Sequence, residues 1–178
     1  MNPIIKKLSL QIGLLLAFIQ IAIILYMYYF GSFISMNTGL LIIALNILFG
    51  ITSIIIIKKK LGNQISLRES FSGYFVTLLI SMILSNVFYV AFFNIVADEV
   101  KKEKIIQEFY SFNLKNMDEN SFSKEDYNKN KELLKNFNPF SISTTFQRNL
   151  RFLLLYSVFG ILISVIFRNK TSFQESNI

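Results

Sequence analysis

The chain has 178 residues, 53% of them hydrophobic, and a formal net charge of +7. It contains neither Cys nor His, which excludes disulfides, thiol chemistry, Ser-His or Cys-His nucleophile pairs and the common zinc and haem ligand sets. Neither a Walker loop nor a G-x-G-x-x-G occurs, so no nucleotide or other cofactor is expected.

The first element is Leu8 to Phe30, 23 residues without a charge. As a helix it rises about 1.5 Å per residue, enough to cross a hydrocarbon core about 30 Å thick. Lys6 and Lys7 precede it as they would in a signal peptide. However, the run exceeds the usual core of about 7 to 15 residues, and no A-x-A-like cleavage site follows Phe30. Tyr26, Tyr28, Tyr29 and Phe30 fit an aromatic belt at a bilayer surface, so the segment is read as a retained span. Two further uncharged runs follow, Thr38 to Ile57 with 20 residues and Phe71 to Ala97 with 27. From Asp98 the third helix is expected to continue into water, with Ile105, Phe109 and Phe112 as an apolar stripe. A turn is expected at Met117 to Ser121. A second polar helix would then start at Ser123, with Asp126 as capping-box partner, carry Leu133 and Phe137 one turn apart, and stop at Asn138 and Pro139.

Thr144 with Gln147 gives another capping-box pattern ahead of the last run, Phe152 to Phe167, which has only 16 uncharged residues. Counting from Asn149 and letting Arg151 reach the interface gives 19, enough to span. The predicted fold is therefore an all-α integral membrane protein with four transmembrane helices in a bundle. The spans lie near 8–30, 38–57, 71–97 and 149–167, and residues 98–148 form an extramembrane helical hairpin between the third and fourth.

Four spans place Lys6, Lys7, Lys58, Lys59, Lys60, Arg68, Arg168 and Lys170 on one side, all near helix ends. The opposite side has six basic residues near a span: Lys101, Lys102, Lys104, Lys135, Arg148 and Arg151. Eight against six favours cytoplasmic termini and a periplasmic hairpin, although Arg148 and Arg151 argue locally the other way. Subtracting Glu69 and Glu175 from the eight leaves +6 on the terminal side, and ten basic against nine acidic residues leave +1 on the other, which accounts for +7. The charge thus reflects topology and attraction to anionic head groups near Lys58 to Lys60, and no nucleic-acid partner is implied.

Within the spans, small and neutral polar residues fall on single helix faces. The second has Gly39, Asn46, Gly50 and Ser53. The third has Ser70, Gly73, Thr77, Ser81 and Ser85, and the fourth has Ser157, Gly160 and Ser164. Gly13, Ala17 and Gln20 supply the first. Such faces suit close helix packing, with hydrogen bonds across the contact. The rival reading is a polar pathway or ligand groove using Gln20, Asn46, Asn86 and Asn94. Packing is preferred, because intramembrane function usually recruits ionisable groups and these spans have none. A proton relay, a voltage sensor and a Pro-broken transport helix are all unsupported. The loop carboxylates, Asp98 and Glu99 among them, alternate with Lys at helical spacing (Glu125 with Lys129, for example) and read as a solvated helix face.

The segment Lys58 to Tyr74 (K-K-K-L-G-N-Q-I-S-L-R-E-S-F-S-G-Y), the run Asn94 to Asp98, and Phe122 to Pro139 (F-S-K-E-D-Y-N-K-N-K-E-L-L-K-N-F-N-P) resemble a four-span family of Bacteroidetes. It is catalogued as domain of unknown function four-one-nine-nine. The resemblance covers about Lys7 to Lys170 and implies one bacterial inner-membrane domain with no assigned activity, in an envelope-glycan setting. Asp98 is followed here by Glu99 where relatives have Asp-Pro, which favours a continuous helix. The leading expectation is a non-enzymatic accessory module that holds another membrane protein or a second copy of itself. The alternative is a small transporter or lipid-handling protein, favoured by a cavity lined by Gln20, Asn46, Ser81 and Asn86 and opposed by a dry interior. Catalysis by Asp98 and Glu99 ranks third.

Overall fold

The first helix begins at Pro3, ahead of the uncharged run. Asn2 caps it by accepting the Ile4 amide at 2.9 Å, and a proline at the first helical position loses no internal hydrogen bond. In the computed structural model, residues 1–31, 33, 36–116 and 124–169 are described, with the backbone alone for 36–38, 116 and 124. Among them are six α-helices and no strand: α1 Pro3–Phe30, α2 Met36–Lys60, α3 Leu67–Ala91, α4 Glu99–Asn116, α5 Lys124–Lys135 and α6 Ile142–Phe167. Four stretches are long and apolar enough to cross a membrane: Pro3–Phe30, Gly39–Lys60, Leu67–Val96 and Ile142–Phe167. The expected turn at Met117 to Ser121 and the Ser123 cap lie outside the described residues.

Helix α3 packs against α1, α2 and α6, while α2 also touches α1 and α6, so α1 and α6 occupy opposite corners. The interior is built from small residues around one large ring. Tyr74 is fully buried, with Gly50 of α2 against one edge and Gly160 of α6 against the other. A Cβ on Gly50 would lie 2.3 Å from the ring and one on Gly160 2.6 Å, so only glycine fits at either place. Gly13 brings α1 onto α3 in the same way, its missing Cβ lying 2.7 Å from the Thr77 carbonyl oxygen. Large aliphatics such as Leu15, Leu48, Ile83, Val87 and Leu162 face outward. Bulky apolar side chains outside and small polar ones inside is the arrangement expected when lipid replaces water.

The end carrying residues 58–70 and 167–169, here the basic end, is closely tied. Gly62 and Asn63 both have positive φ, 71° and 64°, which turns the chain sharply between α2 and α3. Ser66 and Glu69 then form a reciprocal capping box that starts α3. The Lys58 ammonium donates to the Phe167 carbonyl at 2.9 Å, and Ile65 and Asn169 exchange two hydrogen bonds of 2.9 and 3.0 Å. The last carbonyls of α6 are thereby held by a cation, a favourable partner for a helix C-terminus.

The opposite, hairpin end departs from expectation. The third helix does not continue into α4. It widens into a single π-turn over Phe92–Val96, with the Ala97 amide donating to the Phe92 carbonyl, and Ala97 turns extended at ψ 140°. Asp98 caps α4 by accepting the Lys101 amide at 3.0 Å, while its own amide donates to the Tyr28 hydroxyl at 2.8 Å. The break is set by α1 as well as by local sequence. Ahead of α6 the cap is Ser141, which accepts the Thr144 amide at 3.1 Å; Thr144 lies inside the helix, and Gln147 pairs with Ser143. The hairpin stripes meet where Phe109 and Phe137 stack at 5.6 Å, and Ile105 packs beneath on the cluster of Tyr89, Phe92, Phe93 and Phe140. Leu133 points outward instead, 63% exposed. The single ion pair among the described residues joins Lys102 to Glu99, not Glu125 to Lys129.

Gly50→Leu and Gly160→Leu are each expected to lower the unfolding temperature in mild detergent, at a cost of about 1–3 kcal/mol for overpacking. Tyr74→Phe is expected to leave that temperature unchanged or raised, because the Tyr74 hydroxyl is buried with no hydrogen-bond partner among the described residues. Thermal unfolding of the three variants side by side reads both effects.

Candidate functional site

Among the described residues, two polar groupings lie inside the bundle. The first sits on α1, α2 and α3. The Ser9 and Ser53 hydroxyls each donate to the Gly73 carbonyl at 3.2 Å, and the Thr77 hydroxyl lies 2.8 Å from both that carbonyl and Ser53 Oγ. All four residues are buried, and no group in the set ionises near neutral pH. Its chemistry is adhesive: it fastens three helices through one backbone oxygen.

The second grouping is hollow. A cavity of 320 Å³ lies in the hairpin-end half, bounded by all four spans and roofed by Ile105 and Phe109 of α4. Its floor is neutral and polar. Gln20 Nε2 donates to Asn46 Oδ1 at 3.1 Å, Asn46 Nδ2 donates to the Ile42 carbonyl at 2.7 Å, and the Tyr156 phenol lies against Asn46. Its upper wall carries Ser85, Asn86, Tyr89, Arg148 and Asn149. Arg148 lies eight residues before Tyr156 on α6, so the cavity extends about 12 Å along the helix axis from the charged rim to the floor. Among the described residues no Asp or Glu lines it.

Outside, a groove of 560 Å³ runs between α3 and α6, lined by apolar residues including Leu79, Ile83, Val87, Leu150 and Leu153. Met82, Asn86 and Asn149 line both spaces. Thr145 also lines the groove; its buried hydroxyl has no hydrogen-bond partner among the described residues.

The sequence-chosen residues divide accordingly. Gln20, Asn46, Ser85 and Asn86 reach the cavity, whereas Ser81 does not: it bonds back to the Leu78 carbonyl at 2.9 Å. Gly13, Gly50, Gly73 and Gly160 sit at close contacts, but Gly39 meets nothing within 4 Å and borders the cavity instead. Ser157 bonds within its own helix to Leu153, and Ser70 and Ser164 are buried without a partner among the described residues. Asn94 donates to the Val90 carbonyl at 2.8 Å and the Phe140 carbonyl at 3.2 Å, joining the π-turn to the start of α6.

Of the basic residues, Lys6, Lys7, Lys59, Lys60, Arg68, Arg151 and Arg168 are exposed, and Lys170 lies outside the described residues. Lys58 and Arg148 differ. Lys58 ties α6 at the basic end, and Arg148 turns inward over the Tyr89 ring at 5.1 Å. Sequence reasoning counted Arg148 as a topology charge, because its inward turn depends on Tyr89, a distant residue on another helix. It also passed over Tyr74, one aromatic among many. The S-x-x-E pattern at Ser66 would have located the start of α3.

Four apolar spans around small and neutral polar residues define a multi-pass α-helical membrane protein. The chain belongs to the family described as Protein of unknown function (DUF4199), which matches residues 10–169. Comparison with the curated proteins and with the solved structures found no match.

The hydroxyl grouping is expected to contribute less than the glycine contacts. Intramembrane hydrogen bonds average about 0.6 kcal/mol, so Thr77→Val and Ser53→Ala are each expected to lower stability by about that amount, well short of Gly160→Leu. A double-mutant cycle on Thr77 and Ser53 measures their coupling.

Proposed function

We propose that this protein is a non-enzymatic binding module of the bacterial inner membrane that holds an amphiphilic molecule in the hairpin-end half of its bundle. The supporting observation is the cavity itself: 320 Å³, bounded by four spans, with apolar walls and the Gln20 and Asn46 amides at its floor. A concave, mostly apolar space with a few fixed polar groups is the usual form of a small-molecule site, and 320 Å³ lies at the small end of the range. Docking of a partner through small-residue faces has less support, because Gly13, Gly50, Gly73 and Gly160 are already in close contact within the chain. The basic end is assigned to the cytoplasm and the hairpin to the periplasm on the charge bias of the sequence.

An accessory role in an envelope complex is the second reading, and its support is the hairpin. Val100 and Leu133 are 75% and 63% exposed, apolar surface available to a partner on the periplasmic side. Crosslinking from these two positions in native membranes is expected to trap a defined neighbour. Only non-specific products would remove this reading.

Native mass spectrometry of the protein released from mild detergent is expected to detect a retained amphiphile. Asn46→Leu combined with Ser85→Leu, which fills the cavity with apolar side chains, is expected to reduce that retention several-fold. A wild-type protein that carries no amphiphile and gains no thermal stability from any added lipid would sink the proposal.

A further inference from the structure

We infer that the cavity selects an anionic amphiphile, its phosphate or carboxylate head group paired with Arg148 and its chain lying along the groove between α3 and α6. The inference rests on the reading of the cavity as an amphiphile site and adds the charge of the occupant and the side chain that recognises it.

Arg148 is half-buried, lines the cavity and lies over the Tyr89 ring, whereas Arg151, one turn later on α6, is exposed. An arginine that merely snorkels extends toward water. Arg148 instead brings a guanidinium to the rim of an apolar space. No carboxylate pairs with it among the described residues, where the single ion pair is Lys102 with Glu99. A partly desolvated cation without a counter-charge is costly, and a bidentate oxyanion is the partner that guanidinium geometry fits best. Asn149, beside it, also lines the cavity and offers a neutral amide donor to the same head group.

Depth supports the same assignment. Arg148 lies in the second turn of α6, beside the aromatic cluster of Tyr89, Phe92, Phe93 and Phe140, at the height of a lipid head group. From there the groove continues along α6 past Leu150 and Leu153, and Asn86 and Asn149 border both spaces, which sets the groove directly beside the head-group position.

The test uses the full chain in neutral detergent, offered phosphatidylglycerol, phosphatidylcholine or inorganic phosphate, with retention read by native mass spectrometry and protection by thermal shift. Wild type is expected to retain phosphatidylglycerol at least about tenfold over phosphatidylcholine. Arg148→Gln is expected to bring the two to parity without losing the neutral lipid, and Arg151→Gln to keep the preference. If Arg148→Gln fails to fold, Arg148→Lys reads the same point, its preference reduced because an ammonium cannot bind bidentately. A preference that survives loss of Arg148, or falls equally with Arg151→Gln, overturns the inference. So does inorganic phosphate protecting as well as the lipid, which would assign a free oxyanion. Retention of lipids with no charge preference also defeats it while leaving the amphiphile site standing; no retention of any lipid defeats that site first.

Discussion

One aromatic ring sets the spacing of this bundle. Tyr74 is held edge to edge between Gly50 and Gly160, and no larger residue at either place leaves room for it. Helices α2 and α6 therefore close directly on the Tyr74 ring of α3 toward the basic end, where Lys58 and Asn169 also tie the chain. At the other end the facing residues are large: Met82, Tyr89, Phe140, Phe152 and Tyr156 all border the cavity, and Gly39 stands in open space. Glycines close on an aromatic ring toward one end and large side chains face one another toward the other, and the cavity lies among the latter.

The energetics follow the membrane rather than water. With lipid outside as apolar as any side chain, close approach and hydrogen bonding hold helices together in place of hydrophobic burial. The Gly73 carbonyl, approached by hydroxyls of three helices, supplies direction more than strength. Buried neutral polar residues such as Ser9, Ser53, Asn46 and Gln20 cause no charge penalty, and among the described residues no buried side chain is charged.

The four spans were legible because a membrane imposes length and hydropathy on every residue of a run. The small-residue faces were legible as faces, yet what each glycine meets was not, since Tyr74 stands in the sequence as one aromatic among 27 Phe and Tyr residues. Helix starts were within reach at Ser66, where the local pattern is decisive, and ambiguous ahead of α6, where Ser141 and Thr144 both qualify as caps. The break at Ala97 was out of reach: nothing near Asp98 announces the Tyr28 hydroxyl that holds its amide. Arg148 was hidden for the same reason, its direction fixed by a ring on another helix. Local signals carried the elements, and contacts between distant residues carried the site.

The hydroxyl grouping around Gly73 has a consequence for the order of assembly. Its members, Ser9, Ser53, Gly73 and Thr77, all precede α4, so every donor and acceptor is synthesised before α6. At about 5–20 residues per second, the stretch from Phe92 to Ser141 takes roughly 3 to 10 s to translate. Until α6 follows, the edge of Tyr74 that Gly160 covers has no neighbour from that helix, and the arrival of Gly160 is what closes it.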